Sequence, residues 1–131
     1  MNRSSPSSAP RKAGKPPLAK RRLVAQSQAD ELVRVFKMLA NEMRIRLLHA
    51  LERAGEMCVT DLAAAVESAP QAVSNQLQRL VDRRVVTSRR DGTYVYYRIA
   101  DPCVTGLLDL AWCLMEETDH LGTSKETQRR R

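Results

Sequence analysis

Apolar side chains recur at helical spacing through most of the chain, and for one short stretch they alternate instead. In "QADELVRVFKMLA", Leu32, Val35, Phe36 and Leu39 fall at i, i+3, i+4 and i+7, which predicts an amphipathic helix. "NEMRIRLLHALERAG" predicts a second, with Asn41 as N-cap, an apolar stripe of Met43, Leu47, Leu48 and Leu51, and Gly55 as the stop. "CVTDLAAAVES" predicts a short helix capped by Thr60 or Asp61. "APQAVSNQLQRLVDRR" predicts another, opened by Pro70 near its first position. Its inner side is Ala72, Val73, Leu77, Leu80 and Val81, and its outer side is Gln71, Ser74, Asn75, Gln78 and Arg79.

In "VVTSRRDGTYVYYRIA" the period drops from 3.6 to 2. β-Branched and aromatic residues flank Asp91-Gly92, a two-residue hairpin signal. "DPCVTGLLDLAWCLMEETDHL" returns to helical spacing at Val104, Leu107, Leu108, Ala111, Leu114 and Met115. The order is α-α-α-α-β-β-α, mainly α with a β-hairpin. Two short helices, the second with an amide-rich outer face, followed by a hairpin make a winged helix-turn-helix.

Residues 1–25 are rich in Ser, Pro, Ala, Lys and Arg without periodicity, which predicts a disordered basic tail. Such a tail either solubilises or adds non-specific attraction to phosphate. Residues 26–120 form the domain, and residues 121–131 are expected to fray as a second tail.

Charge changes the picture once it is located. The chain of 131 residues has a net charge of +7. Of its 22 basic side chains, seven precede residue 27 with no acid among them, leaving 15 against 15 acids in the remainder. Attraction to DNA by the domain must therefore come from a local patch. Between Arg79 and Arg98 lie six arginines and two aspartates. Gln71, Ser74, Asn75 and Gln78 carry donors and acceptors that match base edges, with Gln76 directed to another face. Arg79, Arg89, Arg90 and, at the tip, Thr93 stand where phosphates would be held. The bland alternative is a solvated polar helix face.

There is no phosphate loop and no nucleophile–base signature, and the only histidines are His49 and His120, so an enzyme is not expected. No apolar run reaches membrane-spanning length and the N-terminus lacks an apolar signal region, so a cytoplasmic protein without membrane contact is expected. Three widely spaced cysteines do not form a disulfide framework.

Three stretches together, "EMCVTDL" (56–62), "QAVSNQLQRLVDRRVVTSRRDGTYVYYRI" (71–99) and the following "ADPC", resemble the ArsR/SmtB family of bacterial metal-responsive repressors. The likeness covers about residues 30 to 120. It implies a homodimer, joined through the first and last helices, that represses from a palindromic double-stranded operator until metal binds. Cys58 matches the first cysteine of the family's "ELCVCDL", and Thr60 replaces the second. The family's last-helix site uses an Asp, a His two residues on, and a His and a Glu from the partner helix. Those positions read Asp101, Cys103, Leu114 and Glu117 here, with Cys113 beside the lost histidine.

That donor set leans toward sulfur. The effector ion implied is thiophilic: cadmium, lead, mercury, arsenite, or zinc held by thiolates. Ten residues of helix rise about 15 Å and end about 80° short of whole turns. Cys103 and Cys113 of one chain therefore cannot share an ion or a disulfide. They act together only across a dimer, where Cys113 and Glu117, one turn apart, present donors jointly. Two other readings stay open: the cysteines pack, or they sense oxidants in a repressor that binds no metal.

Overall fold

The computed structural model describes residues 14–129, with side chains described from residue 14 to residue 117. The first thirteen residues of the basic tail lie outside the described residues. The chain divides into two compact units, Ala13–Asp101 and a unit that contains the last helix.

Helix α1, Gln26–Leu39, opens where Gln28 Oε1 accepts the Ala25 N–H at 2.9 Å. The expected apolar stripe is present, but the core uses little of it. Leu39 is buried, whereas Leu32, Val35 and Phe36 are exposed. Periodicity showed an apolar face and could not show what covers it. Helix α2, Glu42–Ala54, begins as the sequence predicts: Asn41 Oδ1 accepts the Arg44 N–H at 3.0 Å. It ends at Gly55, whose φ of +87° is a left-handed value that costs glycine little. Leu47, Leu48 and Leu51 are fully buried.

A strand that the sequence pattern did not reveal follows. β1, Met57–Cys58, is only two residues long and pairs antiparallel with a later strand. Its pairing keeps Cys58 extended, so helix α3, Val59–Val66, starts immediately after it. Thr60 and Asp61 therefore sit inside the first turn and do not cap it; the N-cap is Cys58, with no side-chain bond.

α3 closes in a Schellman motif. Ser68 N–H donates to Ala63 O, Glu67 N–H donates to Ala64 O, and Glu67 takes the left-handed conformation at φ +55°. Helix α4, Pro70–Asp82, has Pro70 in its first turn and ends the same way, with Val85 N–H on Leu80 O, Arg84 N–H on Val81 O, and Arg84 at φ +63°. Val73, Leu77 and Leu80 face inward. Ala72, expected inside, is exposed.

β2, Val86–Asp91, and β3, Tyr94–Ile99, form the hairpin, and the sheet order is β1-β3-β2. Asp91 pairs with Tyr94, so the loop is Gly92-Thr93, one residue beyond the expected Asp91-Gly92. Gly92 has φ +67° and Thr93 does not share the left-handed region. A left-handed glycine first in a two-residue loop is the type II′ arrangement, which matches strand twist. Val85, Val86 and Tyr97 anchor the hairpin in the core made by α2, α3 and α4. Burying a Leu of this kind contributes about 1.5–3 kcal/mol relative to exposure.

Helix α5, Pro102–Arg129, is continuous past residue 120, where the sequence pattern ends the domain. Gly122, Thr123 and Ser124 are weak helix formers, but no proline interrupts them.

Candidate nucleic-acid interface and thiol donors

The outer face of α4 is built from residues one turn apart. At 100° per residue, Gln71, Ser74, Asn75 and Gln78 span about 100° of the surface, opposite buried Val73, Leu77 and Leu80. Gln71, Asn75, Gln78 and Arg79 are exposed, and Ser74 is half-buried. Gln71 Nε2 donates to Asn75 Oδ1 at 3.1 Å, and Gln78 Nε2 donates to Asp82 Oδ1 at 3.0 Å. Each bond joins i to i+4 and limits the conformers of amides that otherwise rotate in solvent. The stripe presents a row of side-chain donors and acceptors on the outer face of α4.

Gln76 does not belong to that row. Its Oε1 accepts Arg44 Nε at 2.8 Å, while Arg44 Nη1 donates to Met38 O at 2.8 Å. Arg44 thus ties α4 to α2 and to the last turn of α1. Arg46 Nη1 caps α3 by donating to Val66 O at 3.1 Å. Neither arginine was singled out from the sequence, because their partners lie 32 and 20 residues away.

The wing arginines are not equivalent. Adjacent strand residues project to opposite faces. Arg89 shares the face of its cross-strand partner Tyr96, and Arg90 takes the other, beside Val95. Arg89 Nε and Nη2 donate to Glu56 Oε2 and Oε1 at 2.8 and 2.9 Å, and its Cζ lies 4.8 Å from the Tyr96 ring centroid. Asp91 Oδ2 is 3.8 Å from Arg89 Nη1. The hydrogen bond from Arg89 holds the Glu56 carboxyl below its ordinary value, against partial desolvation and aided by the charges of Arg89 and Arg98. The same bond raises the Arg89 guanidinium. Arg90 and Thr93 are exposed at the wing.

Cys58 is buried on β1, opposite Tyr96. Cys103 is half-buried in the first turn of α5, and Cys113 is exposed. Among the described residues no cysteine is in a disulfide, and no three His, Cys, Asp or Glu side chains come together as metal ligands. Cys113 and Glu117 lie one turn apart on α5, and beside them Trp112 Nε1 donates to Glu116 Oε2 at 2.7 Å. His49, on α2, is exposed. No described helix is long and apolar enough to cross a membrane.

Comparison with known proteins bears on this arrangement. Residues 41–88 match the family described as bacterial regulatory protein, arsR family. A transcriptional repressor SmtB homolog of Synechocystis is 41% identical over 102 residues, covering 78% of this chain and 72% of its own. The crystal structure of the AntR antimony-specific transcriptional repressor is 56% identical, with TM-score 0.72, over 82% of this chain and 97% of that one. The solution structure of a homodimeric winged helix-turn-helix DNA-binding domain from Mycobacterium bovis is 33% identical, with TM-score 0.64, over 81% of this chain and 95% of that one. With the winged body, the amide stripe on α4 and these relatives in hand, the chain belongs to the ArsR/SmtB family of bacterial transcriptional regulators.

Proposed function

We propose that the protein is a transcriptional repressor that binds double-stranded operator DNA as a homodimer and leaves it when a thiophilic ion binds. The observation that carries the DNA half is the exposed amide stripe Gln71–Asn75–Gln78 on α4, next to a hairpin whose tip presents Arg90 and Thr93. α4 reads base edges in the major groove, with Ser74 and Arg79 at its borders. The wing follows the neighbouring backbone, where Arg90 is available to phosphate and Arg89 is shared with Glu56. Residues 1–25 act as a basic arm that adds sequence-independent attraction.

Dimerisation is supported by exposed apolar side chains on two helices. α1 exposes Leu32, Val33, Val35 and Phe36, and α5 exposes Leu110, Trp112, Leu114 and Met115. The homodimeric mycobacterial domain has the same fold. Two copies of this chain joined through α1 and α5 bury both faces.

Among the described residues no three ligands of one chain come together, which supports an ion site that draws on two chains. Cys103, Cys113, Asp101 and Glu117 are the donors on or beside α5, and Cys58 is a further thiol in the winged body. Thiolates with carboxylates suit soft and borderline ions, and the similarity to an antimony-specific repressor supports testing antimony alongside arsenite, cadmium, lead, mercury and zinc. An ion that prefers the dimer geometry unable to bind DNA weakens the operator complex by that difference in affinity.

The test is a titration of the reduced full-length protein, bound to the DNA upstream of its gene, with each of these ions. Anisotropy and thiolate-to-metal ultraviolet absorption are read together. DNA release with a charge-transfer band supports the reading. Tight, specific DNA binding with no ion response removes the metal half. In that case the exposed Cys113 favours oxidant sensing, marked by a disulfide between subunits on mild oxidation.

A further inference from the structure

α1, α2 and α4 enclose a cleft of about 370 Å³ on the side of α4 that adjoins the amide stripe. Its walls are cationic. Arg34 and Lys37 enter from α1, Arg44 from α2, Arg79 from α4 and Arg83 from the residue that ends it. One acid, Asp82, shares the space, and its Oδ1 already accepts from Gln78. Among the described residues, the side chains of Arg34, Lys37, Arg79 and Arg83 make no ion pair and no hydrogen bond. Arg44 is held by Gln76 and by the Met38 carbonyl, so its guanidinium is fixed in place before any ligand arrives.

Five cations lining one cleft with a single acid repel each other, because charges closer than a Debye length of about 8–10 Å are only partly screened. A polyanion relieves that repulsion, and fixed guanidinium groups suit phosphate oxygens. Position selects among sources of phosphate. Arg79 is one turn beyond Asn75 and only about 40° around the helix from it. A duplex seated on the amide stripe therefore carries its backbone along the mouth of the cleft.

We propose that this cleft is a second phosphate-binding site, which grips the DNA backbone flanking the groove read by α4. This rests on the DNA-binding reading above and extends it to α1, an element with no residue in the amide stripe or the wing. The cleft adds affinity without base selectivity, because phosphates carry no sequence information.

The experiment uses full-length protein with Arg34→Gln and Lys37→Gln combined, and Arg83→Gln separately in case changes on α1 disturb the dimer. Binding to the duplex upstream of the gene and to a random-sequence duplex is measured by anisotropy from 50 to 200 mM salt. Each phosphate contact contributes about 0.9 to the slope of log K against log salt, so a dimer losing one contact per cleft shows a slope smaller by about 2. Affinity falls on the order of 10- to 100-fold at low salt, equally for both duplexes, and Arg34→Lys with Lys37→Arg restores it.

Unchanged slopes in both variants, with wild-type binding intact, overturn the proposal. So does micromolar binding of pyrophosphate that the variants abolish while the DNA slope stays the same, which assigns the cleft to a small free anion. Wild-type protein that binds neither duplex overturns the DNA reading itself, and this proposal with it.

Discussion

Replacing Asn75 with Ala separates base reading from phosphate attraction. Asn75 is exposed, and its one described bond is from Gln71 Nε2, so truncation removes one amide and releases a second. An amide paired to a base edge discriminates by about 1–3 kcal/mol against the wrong base. A homodimer presents the stripe twice, so the operator complex loses about 2–6 kcal/mol, or roughly 30-fold to 20,000-fold in affinity. A random-sequence duplex held only through phosphates loses almost nothing. Folding stability stays within about 0.5 kcal/mol, because the side chain is exposed and packs against nothing in the core. The assay is anisotropy at fixed salt on the upstream duplex and on its scrambled counterpart, with thermal unfolding as the control. A loss of equal size on both duplexes refutes the argument, because it makes Asn75 a backbone contact. Unchanged affinity for both shows that Asn75 does not touch DNA.

Phe36→Asp places a charge on the exposed apolar face of α1. The expected outcome is a shift from dimer to monomer by sedimentation with the far-ultraviolet circular dichroism preserved, and an undisturbed dimer removes α1 from the interface. Cys58→Ala, at a side chain 7% exposed, costs about 1–2 kcal/mol of stability in denaturant and leaves ion-driven DNA release intact. Loss of release in that variant brings Cys58 into the ion site. Glu56→Gln removes a carboxylate whose folded value lies below its ordinary 4.5. A lowered acid contributes stability that is present above the unfolded value and lost as pH falls through the folded one. The wild-type advantage over Glu56→Gln in melting temperature therefore persists from pH 7 to about 5 and fades below 4.5, and an advantage that does not change with pH refutes the pairing.

How much of this was legible in the sequence depended on how local each cause is. The Asn41 cap, the Gly55 stop and Pro70 opening α4 act within one turn, and each stands where the pattern predicts it. The outer row of α4 follows from the same periodicity that buries Val73, Leu77 and Leu80. β1 escaped because two residues have no period, and its pairing with β3 then displaced the expected cap of α3. The Arg44–Gln76 and Arg89–Glu56 contacts span 32 and 33 residues, and only the assembled fold brings them together.

The unused stripe of α1 is a different kind of case. Leu32, Val35 and Phe36 repeat at the interval that marks Leu47, Leu48 and Leu51 of α2, yet the first set is exposed and the second is fully buried. A hydrophobic face states only that something covers it. In α2 the chain supplies the cover itself. In α1 the winged body leaves it open, and a monomer that exposes so much apolar surface in one place has a standing reason to associate. The same reasoning locates the thiols. Cys103 and Cys113, separated by about 15 Å of one rigid helix, lack a common site in a monomer for the same reason that α1 lacks a cover. On the function proposed above, a second copy of the chain would answer both at once, and it would link occupation of an ion site to the spacing of two α4 helices, which is the quantity a palindromic operator measures.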